Sequence, residues 1–568
     1  MIHQRQTRLA LFHTPSAAAW ADARMAQLSP DERIAQLLHV PAWSNRDETH
    51  TTHLLAQVQA GVGGIVFFQG DPLAQARLTN ACQAVAKVPL MISIDAEWGL
   101  AMRLADTVAY PYAITLGALS DTSLIYEMGR QLGRQCRRLG IQMNHAPAVD
   151  INVHPLNPVI GFRSFGSNSG AVTRRALAYM QGMQDEQVLA VAKHFPGHGD
   201  TSRDSHTSLP VLSHTLERLA AVELVPFQAL MDAGVGAVMT AHLQLPALDD
   251  RPDRGACLSR AITTGLLQEE MGFQGLVVTD ALDMRGASAF FEPGAVEAEA
   301  LMAGNDILLF TVDVPAAIRS IQALVARGEI SQAEIDRRCH KTLMAKYHTG
   351  LHTHTPVVLE GLPGDLCPPE AQALNTRVGR EAVTLLRRPV WDPARTAVLS
   401  LFIHGDGNRG DALAHHQLTR GQHGPVADRT AFEVAAADRG VAHVHRITPA
   451  DLDRADTLLE TLRDVSHVLV PIHGIHVKAG DRFQISQEAI SLLRRLLETG
   501  KVTPVIFGSP YTLLIWEGLA YAQGLVMAYQ DADWMQTAAI EVLAGEIPAQ
   551  GRLPVSLGDA WSLGAGLT

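Results

Sequence analysis

No stretch of this chain approaches the eighteen or so consecutive apolar side chains that a membrane span requires, so no membrane partner is expected. Residues 1–25 carry a little positive charge and an alanine-rich patch, but the apolar run at 9–12 is too short for a secretory signal. The cytoplasm is the expected compartment, and a periplasmic protein trimmed of its signal reads the same way. Cysteine is scarce. The five residues Cys82, Cys136, Cys257, Cys339 and Cys367 are odd in number, far apart and without a C-x-x-C pair. That pattern argues against a disulfide framework or a cysteine metal site and predicts free, buried thiols. A basic stripe is missing as well: 46 Lys and Arg are scattered among 58 Asp and Glu, for a formal net charge of −12. With no aromatics interleaved among the basic residues, nucleic acid is not an expected partner.

What is present is an ordinary globular composition, 47% hydrophobic and 18% charged, over 568 residues. That length suits two or three domains. Short apolar runs ending in polar residues recur near 37–41, 65–68, 90–94, 141–149, 189–193, 235–240, 276–279 and 307–310. Helical patterns lie between them, at 121–139, 170–186, 216–233 and 259–271 among others. Strand and helix in alternation imply parallel strands joined by crossover helices. Eight units over the first 350 residues read as a (β/α)8 TIM-type barrel. Periodicity alone does not separate this from a doubly wound sheet, but no G-x-G-x-x-G run follows the first strand. The Pro-, Gly- and Thr-rich tract near 351–370 marks a linker. Buried runs at 396–403, 465–472, 502–507 and 524–529 then alternate with helices at 486–499 and 533–544. The expected organisation is a barrel over 1–350, a linker over 351–370 and a smaller three-layer α/β sandwich over 371–568. The histidine-bearing stretch 404–423 lacks metal-ligand spacing and reads as a surface loop.

In a parallel barrel the chemistry belongs at the carboxyl ends of the strands. Asp95 and Glu97 close the third run, Asp150 and then Arg163 follow the fourth, Lys193 and His194 close the fifth, His242 the sixth and Asp280 the seventh. Residues 193–210, KHFPGHGDTSRDSHTSLP, crowd seven ionisable groups with Gly197 and Gly199 directly behind a buried run. A solvated loop would look like this too, but here it stands at a strand's carboxyl end. Asp280, after LVVT, suits a covalent nucleophile or an electrostatic stabiliser; capping the next helix is its plainer role. Asp204, two residues from His206, can hold one imidazole tautomer and make the ring a proton shuttle. His194, His198, Asp200 and His206 could in principle form an N/O metal site. Their spacing matches no zinc pattern and Lys193 repels a cation, so no metal is expected.

The 193–210 segment resembles the signature of family 3 glycoside hydrolases of the β-N-acetylglucosaminidase branch. SIDAEWGLAMRL, APAVDINVHPLNPVIGFRSFG and VVTDALDMRGA accompany it in the family's order, so the resemblance covers roughly 20–351. VIFGSPYTL and VLAGEIPAQGRLPVSL are similar, more weakly, to the second domain that many members carry. The resemblance implies a retaining, exo-acting enzyme with Asp280 as nucleophile and His206, paired with Asp204, as general acid/base. It implies that Asp95, Arg103, Arg163, Lys193 and His194 hold the hydroxyls and N-acetyl group of a terminal sugar. It implies no cofactor, and as partner a small carbohydrate ending in N-acetylglucosamine, from cell-wall fragments of peptidoglycan recycling or from chitin. A monomer or homodimer fits. Where many relatives read E-G-G-R, this chain has Glu97-Trp98-Gly99-Leu100, so an indole that can stack on a sugar or pack in the barrel stands beside a missing arginine. A histidine acid/base also admits a phosphorylase, and a degenerate sugar-binding barrel is the non-enzymatic alternative.

Overall fold

The computed structural model describes residues 10–201, 209–288, 291–292, 294–404 and 429–567. The apolar runs become eight parallel strands: β1 (Leu38–Ala42), β2 (Gly64–Phe67), β3 (Met91–Ile94), β4 (Met143–Asn144), β5 (Leu189–Phe195), β6 (Ala237–Thr240), β7 (Leu276–Thr279) and β8 (Leu308–Leu309). Their order is β7-β6-β5-β4-β3-β2-β1-β8. A parallel bridge between Val278 and Ile307 brings the two ends of that sheet together. The amide of Thr279 donates to Ile307 O at 3.1 Å across the same seam. This is the TIM-type barrel expected over an open sheet, since an open sheet leaves its edge strands unpaired. Nearly every strand residue is buried, as side chains must be when one face fills a barrel and the other meets a helix.

Two expected elements differ for a shared reason. The run at 141–149 gives only a two-residue strand, because Pro147 has no N–H for the ladder. The helix expected over 216–233 divides into Leu216–Ala221 and Leu224–Asp232. Pro226 cannot donate to Val222 O four residues back and its ring crowds that carbonyl, so the chain leaves helical geometry at Val222.

The chain divides into two compact units, one of residues 1–109, 125–151 and 172–368, the other of 110–124, 152–171 and 369–568. The first unit holds the barrel. The second holds a six-stranded sheet of β9 (Thr384–Arg387), β10 (Thr396–Phe402), β11 (His443–Ile447), β12 (His467–His473), β13 (Val502–Ile506) and β14 (Leu525–Met527). Its order is β11-β10-β12-β13-β14-β9, with β9 alone antiparallel to its neighbour. Helices Pro369–Ala382 and Ala431–Asp438 each pack on Asp533–Leu543, while Gln487–Leu497 packs with the turn Pro449–Arg454 and the helix Ala455–Thr461, the two helical layers of an α/β sandwich. The stretch 404–423, apart from His404, lies outside the described residues. All five cysteines are free; four are buried and Cys367 is half-buried. Among the described residues no helix is long and apolar enough to cross a membrane.

Candidate active site

The site grows from β5. Its residues LAVAKHF are all buried, so Lys193 carries an ammonium into a place where an unpaired charge costs several kcal/mol. Two carboxylates compensate it: Asp95 Oδ1 at 3.0 Å and Glu97 Oε1 at 2.8 Å, both from the turn that follows β3. The other Asp95 oxygen takes Arg103 Nη2 at 2.6 Å. Burial alone would raise the Asp95 carboxyl, but Lys193 and Arg103 together hold it well below the usual carboxylate range. Asp95 is therefore a fixed anionic acceptor. The Arg103 guanidinium also lies over the Phe68 ring at 4.2 Å, so its plane is set on two sides.

Asp150, beyond β4 and 1% exposed, holds the next residue in place. Its Oδ2 meets His194 Nδ1 at 2.8 Å, and its Oδ1 accepts from the amides of His194 at 3.2 Å and His198 at 2.7 Å. Burial raises this carboxyl and His194 lowers it, with a net fall. The turn that follows needs its glycines. Gly197 has φ +133°, which L side chains rarely adopt, and a Cβ on Gly199 would stand 1.9 Å from Ile151 O. His198 Nδ1 is 2.8 Å from Thr201 Oγ1, and burial lowers its pKa to about 4, so the ring is neutral at working pH.

Asp280 stands at the end of β7. Its amide donates to Thr240 O at 3.0 Å and its Oδ1 accepts from the Ala281 amide at 2.8 Å, one residue along rather than at a helix start. The residue is half-buried. Burial raises its carboxyl, but His242, His194 and Lys193 nearby bring it below the ordinary value, so it is ionised near neutrality. His242, from the end of β6, is 1% exposed; its Nδ1 meets Cys257 Sγ at 3.1 Å and its Nε2 meets Ala281 O at 2.8 Å. His145, fully buried at the end of β4, lies 3.8 Å from Asp95 Oδ1, and burial lowers its pKa to about 4.

Strands β3 to β7 thus bring Asp95, Arg103, Lys193, His194 and Asp280 to one end of the barrel. Arg163 lies on the turn Gly161–Arg163 in the second unit, its Nη1 donating to Val159 O at 3.3 Å. Asp204 and His206 lie outside the described residues. Sequence reasoning placed Glu97 and Asp150 on the rim without giving them partners, read Cys257 only as a free, buried thiol and passed over His145. The contacts of the last two carried no signal, because their neighbours are distant in sequence. Trp98 is 4% exposed. Among the described residues no group of three or more His, Cys, Asp or Glu is placed to hold a metal ion.

The family model of the glycosyl hydrolase family 3 N-terminal domain matches residues 29–345, more than half of the chain. The chain belongs to glycosyl hydrolase family 3. Among curated relatives of this family 3 chain, beta-hexosaminidase A of Pseudoalteromonas piscicida is 39% identical over 297 residues, 48% of this chain and 49% of that protein. The chain therefore spans about half the length of that relative. Beta-hexosaminidase LpqI of Mycobacterium tuberculosis is 35% identical over 325 residues, covering 55% of this chain and 81% of that one. Among solved structures, a family 3 β-N-acetylglucosaminidase from Paenibacillus sp. str. FPU-7 superposes with a TM-score of 0.77 at 30% identity, over 93% of this chain and 99% of that one.

Proposed function

We propose that this family 3 chain is a retaining, exo-acting β-N-acetylglucosaminidase that removes terminal N-acetylglucosamine from cell-wall or chitin-like fragments. The observation that carries the reading is the ionised, half-buried Asp280 at the end of β7, on the same barrel rim as the Asp95–Arg103–Lys193 charge cluster. The names of the relatives support the sugar: two are beta-hexosaminidases and one is a β-N-acetylglucosaminidase.

In this mechanism the Asp280 carboxylate attacks the anomeric carbon as His206, oriented by Asp204, gives a proton to the departing glycosidic oxygen. Water then enters, His206 takes its proton back, and the Asp280–sugar bond breaks with net retention. Asp95, as a fixed anion, accepts hydrogen bonds from sugar hydroxyls. Lys193, Arg103 and His194 donate to the hydroxyls and the N-acetyl carbonyl. No step requires a cofactor. The experiment is ¹H NMR of the first sugar released from an aryl β-N-acetylglucosaminide. Early appearance of the β anomer is expected, and early α anomer would remove the covalent step.

A histidine acid/base carries no negative charge to repel an incoming anion, and this supports a second reading in which phosphate replaces water. Product analysis in phosphate buffer separates the two. Free N-acetylglucosamine supports hydrolysis, and a sugar 1-phosphate supports phosphorolysis.

A further inference from the structure

Two groups beneath the proposed nucleophile have no part in the mechanism above. Cys257 is fully buried, and burial pushes its thiol up, so it keeps its proton. Its backbone is fixed on both sides: the amide donates to Ala241 O at 3.1 Å and the carbonyl accepts Asn305 Nδ2 at 2.8 Å. Asn305 Oδ1 in turn accepts the Thr240 hydroxyl at 2.8 Å. The sulfur is thereby set against His242 Nδ1 at 3.1 Å. A protonated thiol donates and a thiol sulfur accepts poorly, so Nδ1 is the acceptor and the ring hydrogen sits on Nε2. That N–H points at Ala281 O, 2.8 Å away.

The residue beyond this contact is the one that serves Asp280, through the peptide plane on its other side. The amide of Ala281 donates to Asp280 Oδ1, while the carbonyl of Ala281 accepts from His242. Residue 281 is thus held at both its amide and its carbonyl, and the carboxylate it serves cannot rotate without breaking one of the two contacts. Resting on the reading of Asp280 as nucleophile, we propose that His242 is a positioning residue for the nucleophile and that the Cys257 thiol fixes the imidazole tautomer it needs. Donors run in one direction, from Cys257 Sγ–H through His242 Nε2–H to the carbonyl beside the reacting carboxylate. Asp280 also faces Lys193, His194 and His198 from β5 and its following turn, and His145 from β4. Among the described residues Cys257 faces it as well.

The test uses the full chain and compares His242→Leu, His242→Asn and His242→Gln with Cys257→Ala and Cys257→Ser. A glutamine amide nitrogen falls near the place of Nε2, whereas an asparagine amide falls near Nδ1, so only the first restores the donor to Ala281 O. On an aryl β-N-acetylglucosaminide, His242→Leu and His242→Asn are expected to lose about a hundredfold in kcat with KM within about twofold, the scale of a displaced reacting group. His242→Gln is expected to recover to within about tenfold of wild type. Cys257→Ala should lose about threefold to tenfold, and Cys257→Ser, which keeps a donor, little. Equal activity of the Asn and Gln variants, with unchanged Tm, overturns the proposal. Labelling with a 5-fluoro-N-acetylglucosaminyl fluoride and peptide mapping keeps the two claims apart. A sugar on Asp280 leaves the nucleophile standing whatever the His242 series shows, and a sugar elsewhere removes the nucleophile and the proposal with it.

Discussion

At the scale of residues, the site consists of buried charges made tolerable by their partners. Lys193 is held by Asp95 and Glu97, and Asp95 by Lys193 and Arg103. Removing one partner strands the other, which in buried pairs costs about 3–5 kcal/mol, and Lys193 would still keep Glu97. Asp95→Asn should therefore lower folding stability by about 3 kcal/mol at pH 7. The pH dependence follows from the direction of the shift. The folded carboxyl of Asp95 lies well below its ordinary value, so its stabilisation is fully present above an unfolded value of about 3.9 and is lost as pH falls through the folded one. The Tm gap between wild type and Asp95→Asn should be constant above about pH 5 and close at lower pH. A gap that widens with acid would contradict the pairing. The rim positions were legible because each follows an apolar run. What each rim residue pairs with was not, since Asp95 and Lys193 lie on different strands and only the barrel's closure brings them together.

At the scale of elements, the apolar runs gave the strands and two prolines decided the departures: Pro147 shortens β4 and Pro226 divides a helix. In the second unit β9 and β11 escaped the pattern. Most side chains of HVHRI in β11 face water and only Ile447 is buried, so no apolar run announces the strand. Helix Gln332–His348 shows a different effect. Its Lys346 is fully buried beside β1, with Nζ donating to Gln36 Oε1 at 2.7 Å, and burial lowers its pKa to about 7. The unfolded lysine stays protonated up to about 10.4, so the cost of burial is full below pH 7 and fades as pH rises toward that value. Lys346→Met should raise Tm by several degrees at pH 6, with the gain shrinking steadily toward pH 10. Thermal melts across that range check it, and a gain independent of pH would contradict the buried amine.

At the scale of the whole molecule, the tract at 351–370 looks like a simple boundary, yet the second unit also takes in 110–124 and 152–171. Those excursions are tied within that unit by Tyr112 N to Gln530 Oε1 at 3.0 Å, Arg552 N to Ala118 O at 3.0 Å and Ser167 N to Pro554 O at 3.0 Å. No local pattern in the sequence shows such ties, because their partners lie about 400 residues apart. A chain ended at Pro368 strips both excursions of these partners. It should be poorly soluble or melt at least about 5 °C lower than the full chain, by differential scanning fluorimetry, and an unchanged Tm would contradict the division. One carboxylate and one sugar define the proposed reaction. The measurement that tests both is aryl alcohol release from paired aryl β-N-acetylglucosaminide and aryl β-glucoside, by wild type and by Asp280→Ala. The expected result is wild-type turnover of the N-acetylated substrate in preference to the glucoside, lost roughly 10⁴-fold in Asp280→Ala. Turnover of the glucoside alone, or an Asp280→Ala variant as active as wild type, would contradict it.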